Sequence, residues 1–65
     1  MRDPKRLNDF YNELCKIHKE KYTDWRFGQL MCNFIGWYYE KYLRDIFYLE
    51  EEDFIEKFKE FAHEC

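Results

Sequence analysis

The chain has 65 residues, a formal net charge of -3, 38% charged residues and 23% aromatic residues. That bounds it to one small domain whose stability must come from bulky side chains. Three cysteines without a C-x-x-C pair argue against a disulfide framework or a thiolate zinc site. The bases outnumber the acids only up to Arg26 and are outnumbered beyond it, so no dense basic stripe for duplex nucleic acid can be drawn.

The first segment opens on Asp3-Pro4, a capping residue followed by a proline whose missing N–H costs nothing at a helix start. Leu7, Phe10, Tyr11, Leu14, Ile17 and His18 then recur at helical spacing, predicting a helix over about residues 4–22. Lys5, Asp9, Asn12, Glu13, Lys16, Lys19 and Glu20 make its solvated face. Thr23 and Asp24 offer the next cap, and a central helix is expected over about residues 25–43.

This central segment is apolar on two sides. Phe27, Leu30, Met31, Phe34 and Tyr38 form one stripe, and Trp25, Cys32, Ile35, Tyr39, Tyr42 and Leu43 form another. A helix of that kind must be covered on both sides, and the single stripes of the first and third helices are enough in principle to do so. Gly28 and Gly36 each cost about 1 kcal/mol relative to alanine in a helix. With Cys32 they form a row of small residues spaced by four, which either admits another helix backbone or relieves crowding around Phe34, Ile35, Trp37 and Tyr38.

Arg44 to Leu49 reads as an ordered corner rich in apolar side chains. The acidic run Glu50, Glu51, Glu52 and Asp53 suits the positive end of a helix, and Asp53 with Glu56 has capping-box spacing. A third helix is predicted over residues 51–63, its inward stripe being Phe54, Ile55, Phe58, Phe61 and Ala62. The fold class expected is all-α, a compact three-helix bundle with a long central helix, forming a single domain over residues 1–65.

No residue is assigned a catalytic, cofactor-binding or metal-ligating role. Cys15 and His18 share a helix face but lack an orienting group, and Cys15, His18, His63 and Cys65 would bind zinc only if the chain ends converged. Structural roles fall to Arg26, Gly28, Gly36 and Asp45. A cation in the first turn of a helix needs a carboxylate, and Arg26 has Asp24, Asp45 or the Glu50–Asp53 run within reach. The rings of Trp37, Tyr38, Tyr39 and Tyr42 occupy more than one side of the central helix, so some are expected to be exposed. Together with Tyr48, Glu50, Glu51, Glu52 and Asp53 they make the candidate partner-binding surface.

The segments R-F-G-Q-L at Arg26–Leu30 and D-I-F-Y at Asp45–Tyr48, followed by an acidic run into Phe54-Ile55, resemble a family of short uncharacterised proteins from bacteria and their prophages. The likeness covers about two-thirds of the chain and departs at Glu40–Asp45, which lengthens the middle helix. It implies a phage- or prophage-encoded protein that acts on a bacterial host, such as an anti-CRISPR protein.

The expected function is therefore non-enzymatic protein binding, as a stoichiometric inhibitor or modulator of a bacterial target such as a CRISPR or other defence complex. No cofactor is expected, and a homodimer is possible. The alternative is a nucleic-acid-binding regulator using Arg2, Lys5, Arg6, Lys16 and Lys19. The longest uncharged run, Phe27 to Tyr39, is too short and too polar to span a bilayer, and the charged opening gives no signal peptide, so a cytoplasmic location without membrane contact is expected.

Overall fold

The computed structural model describes residues 2–64. It is an all-α three-helix bundle in which α1 spans Arg6–Lys21, α2 spans Phe27–Tyr42 and α3 spans Glu51–Glu64. A single 3₁₀ turn over Ile46–Tyr48 joins the last two. No helix among the described residues is long and apolar enough to cross a membrane.

Each helix start reflects a local competition. Asp3 Oδ1 accepts from the Lys5 N–H at 2.9 Å, as a capping residue should. The N–H groups of Arg6, Leu7 and Asn8 then donate to the carbonyls three residues earlier. The Asp3-Pro4 opening is thus a tight 3₁₀-like turn, and the α-helix proper begins at Arg6.

The central helix starts at Phe27, two residues later than its apolar pattern indicates. The Trp25 ring is drawn onto Tyr22, with centroids 4.8 Å apart, and its carbonyl accepts from His18 Nε2 at 2.8 Å. Those contacts pull Arg26 into an extended conformation, φ -67° and ψ 150°. Hence α2 has 16 residues, the same as α1, and the middle helix is not the long one.

In α3, the Phe54 N–H reaches the Glu50 carbonyl at 2.8 Å. The helix therefore begins ahead of the Asp53–Glu56 box, and Asp53 lies in the first turn rather than at the cap.

Helices α1 and α3 run parallel. The Arg6–Glu51 pair at 2.9 Å lies at one end, the Phe10–Phe54 rings at 5.4 Å come next, then Glu13–Lys59 at 3.5 Å. At the far end Lys21 Nζ donates to the Ala62 carbonyl at 3.1 Å. Because the α1 stripe is spent on α3, α2 lies against the pair with one face only. Leu30, Phe34 and Tyr38 are buried, whereas Cys32, Ile35, Tyr39 and Leu43 are exposed. The flanking helices do not cover both sides of α2.

Phe34 is fully buried, and its ring meets Phe54 at 4.9 Å, Phe58 at 5.2 Å, Phe61 at 5.6 Å and Trp37 at 5.9 Å. Emptying such a site costs about 3–5 kcal/mol, comparable with everything a core this small supplies, about 3–5 kcal/mol. Phe34→Ala is therefore expected to abolish the cooperative thermal transition seen by far-ultraviolet circular dichroism. Retention of a sharp transition would show that the rings are not the principal source of stability.

Candidate functional site

The aromatic and acidic residues around the end of α2 divide into two groups. The first closes the seam between α2 and α3. Trp37 is half-buried against the core, and its indole N–H donates to Glu64 Oε1 at 3.1 Å. Tyr38 is buried within the bundle, its ring 6.3 Å from Phe34. Tyr42 is half-buried, and its hydroxyl donates to Glu60 at 2.7 Å.

Lys41 ties these groups together. It pairs with Glu60 at 2.6 Å and also with Glu64, and its ammonium lies 5.2 Å from the centre of the Trp37 ring, within cation–π range. On the other face of the seam Lys57 stands 4.5 Å from the centre of the Tyr42 ring.

The shared hydrogen bonds set the ionisation of the seam. Lys41 holds Glu60 below its ordinary range, helped by the Tyr42 hydroxyl. It does the same to Glu64, helped by the Trp37 indole. The Glu60 carboxylate in turn pushes the Tyr42 hydroxyl up.

The acidic run divides in the same way. Glu50 accepts from Arg2 at 2.6 Å and Glu51 from Arg6 at 2.9 Å, and the Arg6 hydrogen bond lowers the Glu51 carboxyl. These pairs fasten the start of α1 to the start of α3. Arg2 and Arg6 are thereby engaged with carboxylates, which leaves Lys5, Lys16 and Lys19 as the remaining bases of the alternative nucleic-acid face. Glu52 and Asp53 are exposed and make no ion pair among the described residues.

The second group is the apolar surface left outside. Tyr39 is 59% exposed on the outer side of α2. At the corner beyond it Leu43 is 78%, Phe47 77% and Tyr48 87% exposed. The last two rings meet edge to face at 4.8 Å. Asp45 Oδ1 accepts from the Phe47 N–H at 2.8 Å, so it caps the 3₁₀ turn and presents Phe47 and Tyr48 outward. A cleft of about 380 Å³ lined by Tyr38, Arg44, Asp45, Tyr48 and Leu49 opens beside this turn. Leu43, placed by its spacing in the second apolar stripe, and Phe47, read as part of the apolar corner, were not assigned to the contact surface, because spacing does not show that only Ile46 and Leu49 of that corner turn partly inward.

Leu43 carries a second peculiarity. It closes α2 in the left-handed conformation, φ 54° and ψ 37°, where glycine is the usual occupant. A leucine there strains the backbone by roughly 1–2 kcal/mol.

The remaining structural assignments come out differently from one another. Arg26 is exposed and forms no ion pair among the described residues. It is the cap residue of α2 in extended backbone rather than a residue of the first helical turn, so the premise that called for a carboxylate does not hold. Around Gly28 and Gly36 an added Cβ would meet nothing within 4 Å. Within the chain they admit no close helix, and their surroundings are not crowded. Cys15 and Cys32 are exposed free thiols, the His18 ring is engaged with the Trp25 carbonyl, and Cys65 lies outside the described residues.

Comparison with models of protein families, with curated proteins and with solved structures finds no match to the chain.

The ionisation of the seam makes stability depend on acid. Because Glu60 and Glu64 have depressed folded values, their contribution is complete above the ordinary glutamate pKa of about 4.3 and is lost as pH falls through the depressed values. The melting temperature of the wild type is expected to fall on acidification below that point. Glu60→Gln should melt lower at neutral pH and show a smaller fall in acid. Equal acid sensitivity of the two proteins would place the responsible carboxylates elsewhere.

Proposed function

We propose that the chain is a small non-enzymatic protein-binding protein whose contact surface is the corner formed by Leu43, Phe47 and Tyr48. The observation that carries this reading is the near-complete exposure of these three large apolar side chains at one turn. Scattered apolar residues are ordinary on a protein surface, but a contiguous group marks a binding site. Two features support it further. The turn is held by its own cap rather than by burial of Phe47 or Tyr48, so the rings are presented rather than left over. Leu43 occupies a strained position that glycine would fill without cost, and strain of this kind accumulates where a side chain serves function rather than folding.

The uncompensated charges of Glu52 and Asp53 at the nearby start of α3 suit a target with an apolar pocket bordered by bases. The likeness of the Arg26–Leu30 and Asp45–Tyr48 segments to short bacterial and prophage proteins supports a bacterial target. On that basis the protein is a phage- or prophage-encoded stoichiometric inhibitor or modulator of a host complex, with CRISPR interference or another defence system as the process to assay. Work of this kind needs a docking surface and no catalytic group.

The test compares the wild type with Phe47→Ser/Tyr48→Ser and with Leu43→Gly. All three positions are exposed, so the core should be unaffected. Wild-type protein is expected to capture a discrete bacterial partner at a fixed stoichiometry and to reduce defence activity, and the double variant should do neither. Leu43→Gly should relieve about 1 kcal/mol of strain, raising the melting temperature by about 4–8 °C for a domain of this size, while weakening capture. A partner retained equally by all three proteins would remove the corner from the contact. Failure of the wild type to capture anything or to affect defence would remove the reading itself.

A further inference from the structure

The sequence contains no stop for α2 at Tyr42. A helix end is ordinarily marked by glycine just past the last turn, and here Leu43 and Arg44 follow, two of the better helix formers. Leu43 nevertheless leaves the helix at φ 54° and ψ 37°, its N–H donating to the Tyr39 carbonyl at 2.8 Å. That is the simplest left-handed cap, with one hydrogen bond. Among the described residues no backbone N–H donates to the carbonyls of Glu40, Lys41 or Tyr42. Continuing the helix through Arg44 and Asp45 would bring their N–H groups onto the first two of these carbonyls and relieve Leu43.

Little opposes that continuation. Asp45 is extended, φ -85° and ψ 148°, which lets its carboxylate cap the Phe47 N–H at 2.8 Å. The Leu49 N–H closes the turn on the Ile46 carbonyl at 3.0 Å. Ile46 packs partly buried against the core, whereas Phe47 and Tyr48 bury little. The segment is held firmly at its two ends. On one side Lys41 pairs with Glu60 and Glu64 and Tyr42 bonds to Glu60. On the other, the Phe54 N–H meets the Glu50 carbonyl where α3 begins.

We infer that the end of α2 is a two-state element. In the capped form Leu43 is left-handed and the corner is presented. In a minor, helix-extended form Leu43 and Arg44 join α2 and Asp45 gives up its cap. The two forms exclude each other, because a residue caps the following N–H groups from extended backbone and Asp45 cannot be extended and helical at once. The strain lies at the Leu43 Cβ, which crowds the following carbonyl oxygen in the left-handed conformation. It lowers the ratio of capped to extended form by about 5–30-fold relative to glycine, leaving the extended form as a minor state populated at roughly 0.1–10%. A partner that takes up Leu43, Phe47 and Tyr48 together binds the capped form and draws the equilibrium to it. This consequence rests on the contact surface proposed above; the exchange itself does not.

Amide relaxation dispersion by nuclear magnetic resonance on the free protein tests this. The amides of Leu43–Leu49 are expected to exchange on the μs–ms timescale, with helical minor-state Cα shifts at Arg44 and Asp45, while the middles of α1 and α3 stay flat. Leu43→Gly should lower the minor population about 5–30-fold. Leu43→Ala keeps the Cβ and should keep the exchange. Asp45→Ala removes the cap and should raise the minor population about fivefold. Both positions are exposed, so the core is unaffected. Flat dispersion in the wild type overturns the inference. Exchange that survives Leu43→Gly undiminished, or that vanishes in Leu43→Ala, does so too, because the Cβ then does not govern it. Capture is read separately: a wild type that exchanges but captures nothing removes the contact surface and leaves the switch, and capture without exchange does the reverse.

Discussion

The packing of the Phe34 ring is the contact on which the rest of the molecule depends. It lies where α2 meets α3, and Phe54, Phe58 and Phe61 surround it with Trp37 from its own helix. In a chain this short one such junction orients a whole helix, because few other side chains bridge the two elements at full burial. Leu30 and Phe58 are the only other large side chains described that are entirely shielded from solvent. Everything outside this junction, including the polar seam, adjusts to an orientation that the rings have already set.

The seam of Lys41, Glu60, Glu64, Trp37 and Tyr42 shows what that adjustment achieves. None of its members is fully buried, and exposed ion pairs contribute little individually. Their value is geometric. Trp37 and Tyr42 have large apolar bodies with one polar atom each, and a carboxylate from α3 satisfies that atom while the body covers the edge of the core. The same logic operates at the opposite end of the bundle. There the Arg2–Glu50 and Arg6–Glu51 pairs fix the parallel register of α1 and α3 without taking up interior volume.

Much of the fold was legible in the sequence because it rests on local period and local capping. The stripe from Leu7 to Ile17, the Asp3-Pro4 opening and the inward stripe of α3 each contain their own evidence, and the three helices lie close to where those patterns place them. The faces of α2 were not legible in the same way. Two apolar stripes on one helix state that both are suited to burial, but only the register of α1 on α3 decides which stripe is covered. Likewise Trp37, Tyr38 and Tyr42 could not be told from Tyr39 and Tyr48 by spacing. Their carboxylate and ring partners are distant in the chain, and an exposed aromatic differs from a seam aromatic only by what arrives from elsewhere. The acidic run showed the same ambiguity: Glu50 and Glu51 are consumed by arginines from the first residues, whereas Glu52 and Asp53 are not.

The aromatic excess is therefore partitioned rather than surplus throughout. A small core has a fixed volume, and seven phenylalanines, six tyrosines and two tryptophans exceed it once α1 and α3 have packed together. Those nearest Phe34 are buried, Trp37 and Tyr42 meet carboxylates along the seam, and the exposed remainder comprises Tyr11 on α1, Phe27 and Tyr39 on α2, and Phe47 and Tyr48 at the corner after it. Random overflow would leave such residues in relaxed backbone and interspersed with charge. Leu43 instead sits in strained backbone, Phe47 and Tyr48 are held outward by the Asp45 cap, and the stretch Phe27–Tyr39 is free of charge up to the exposed Glu40. Folding alone favours glycine at Leu43 and lysine or glutamate on the exposed side of that stretch. Their absence from both places is the physical reason to read the outer surface of α2 and its corner as built for contact.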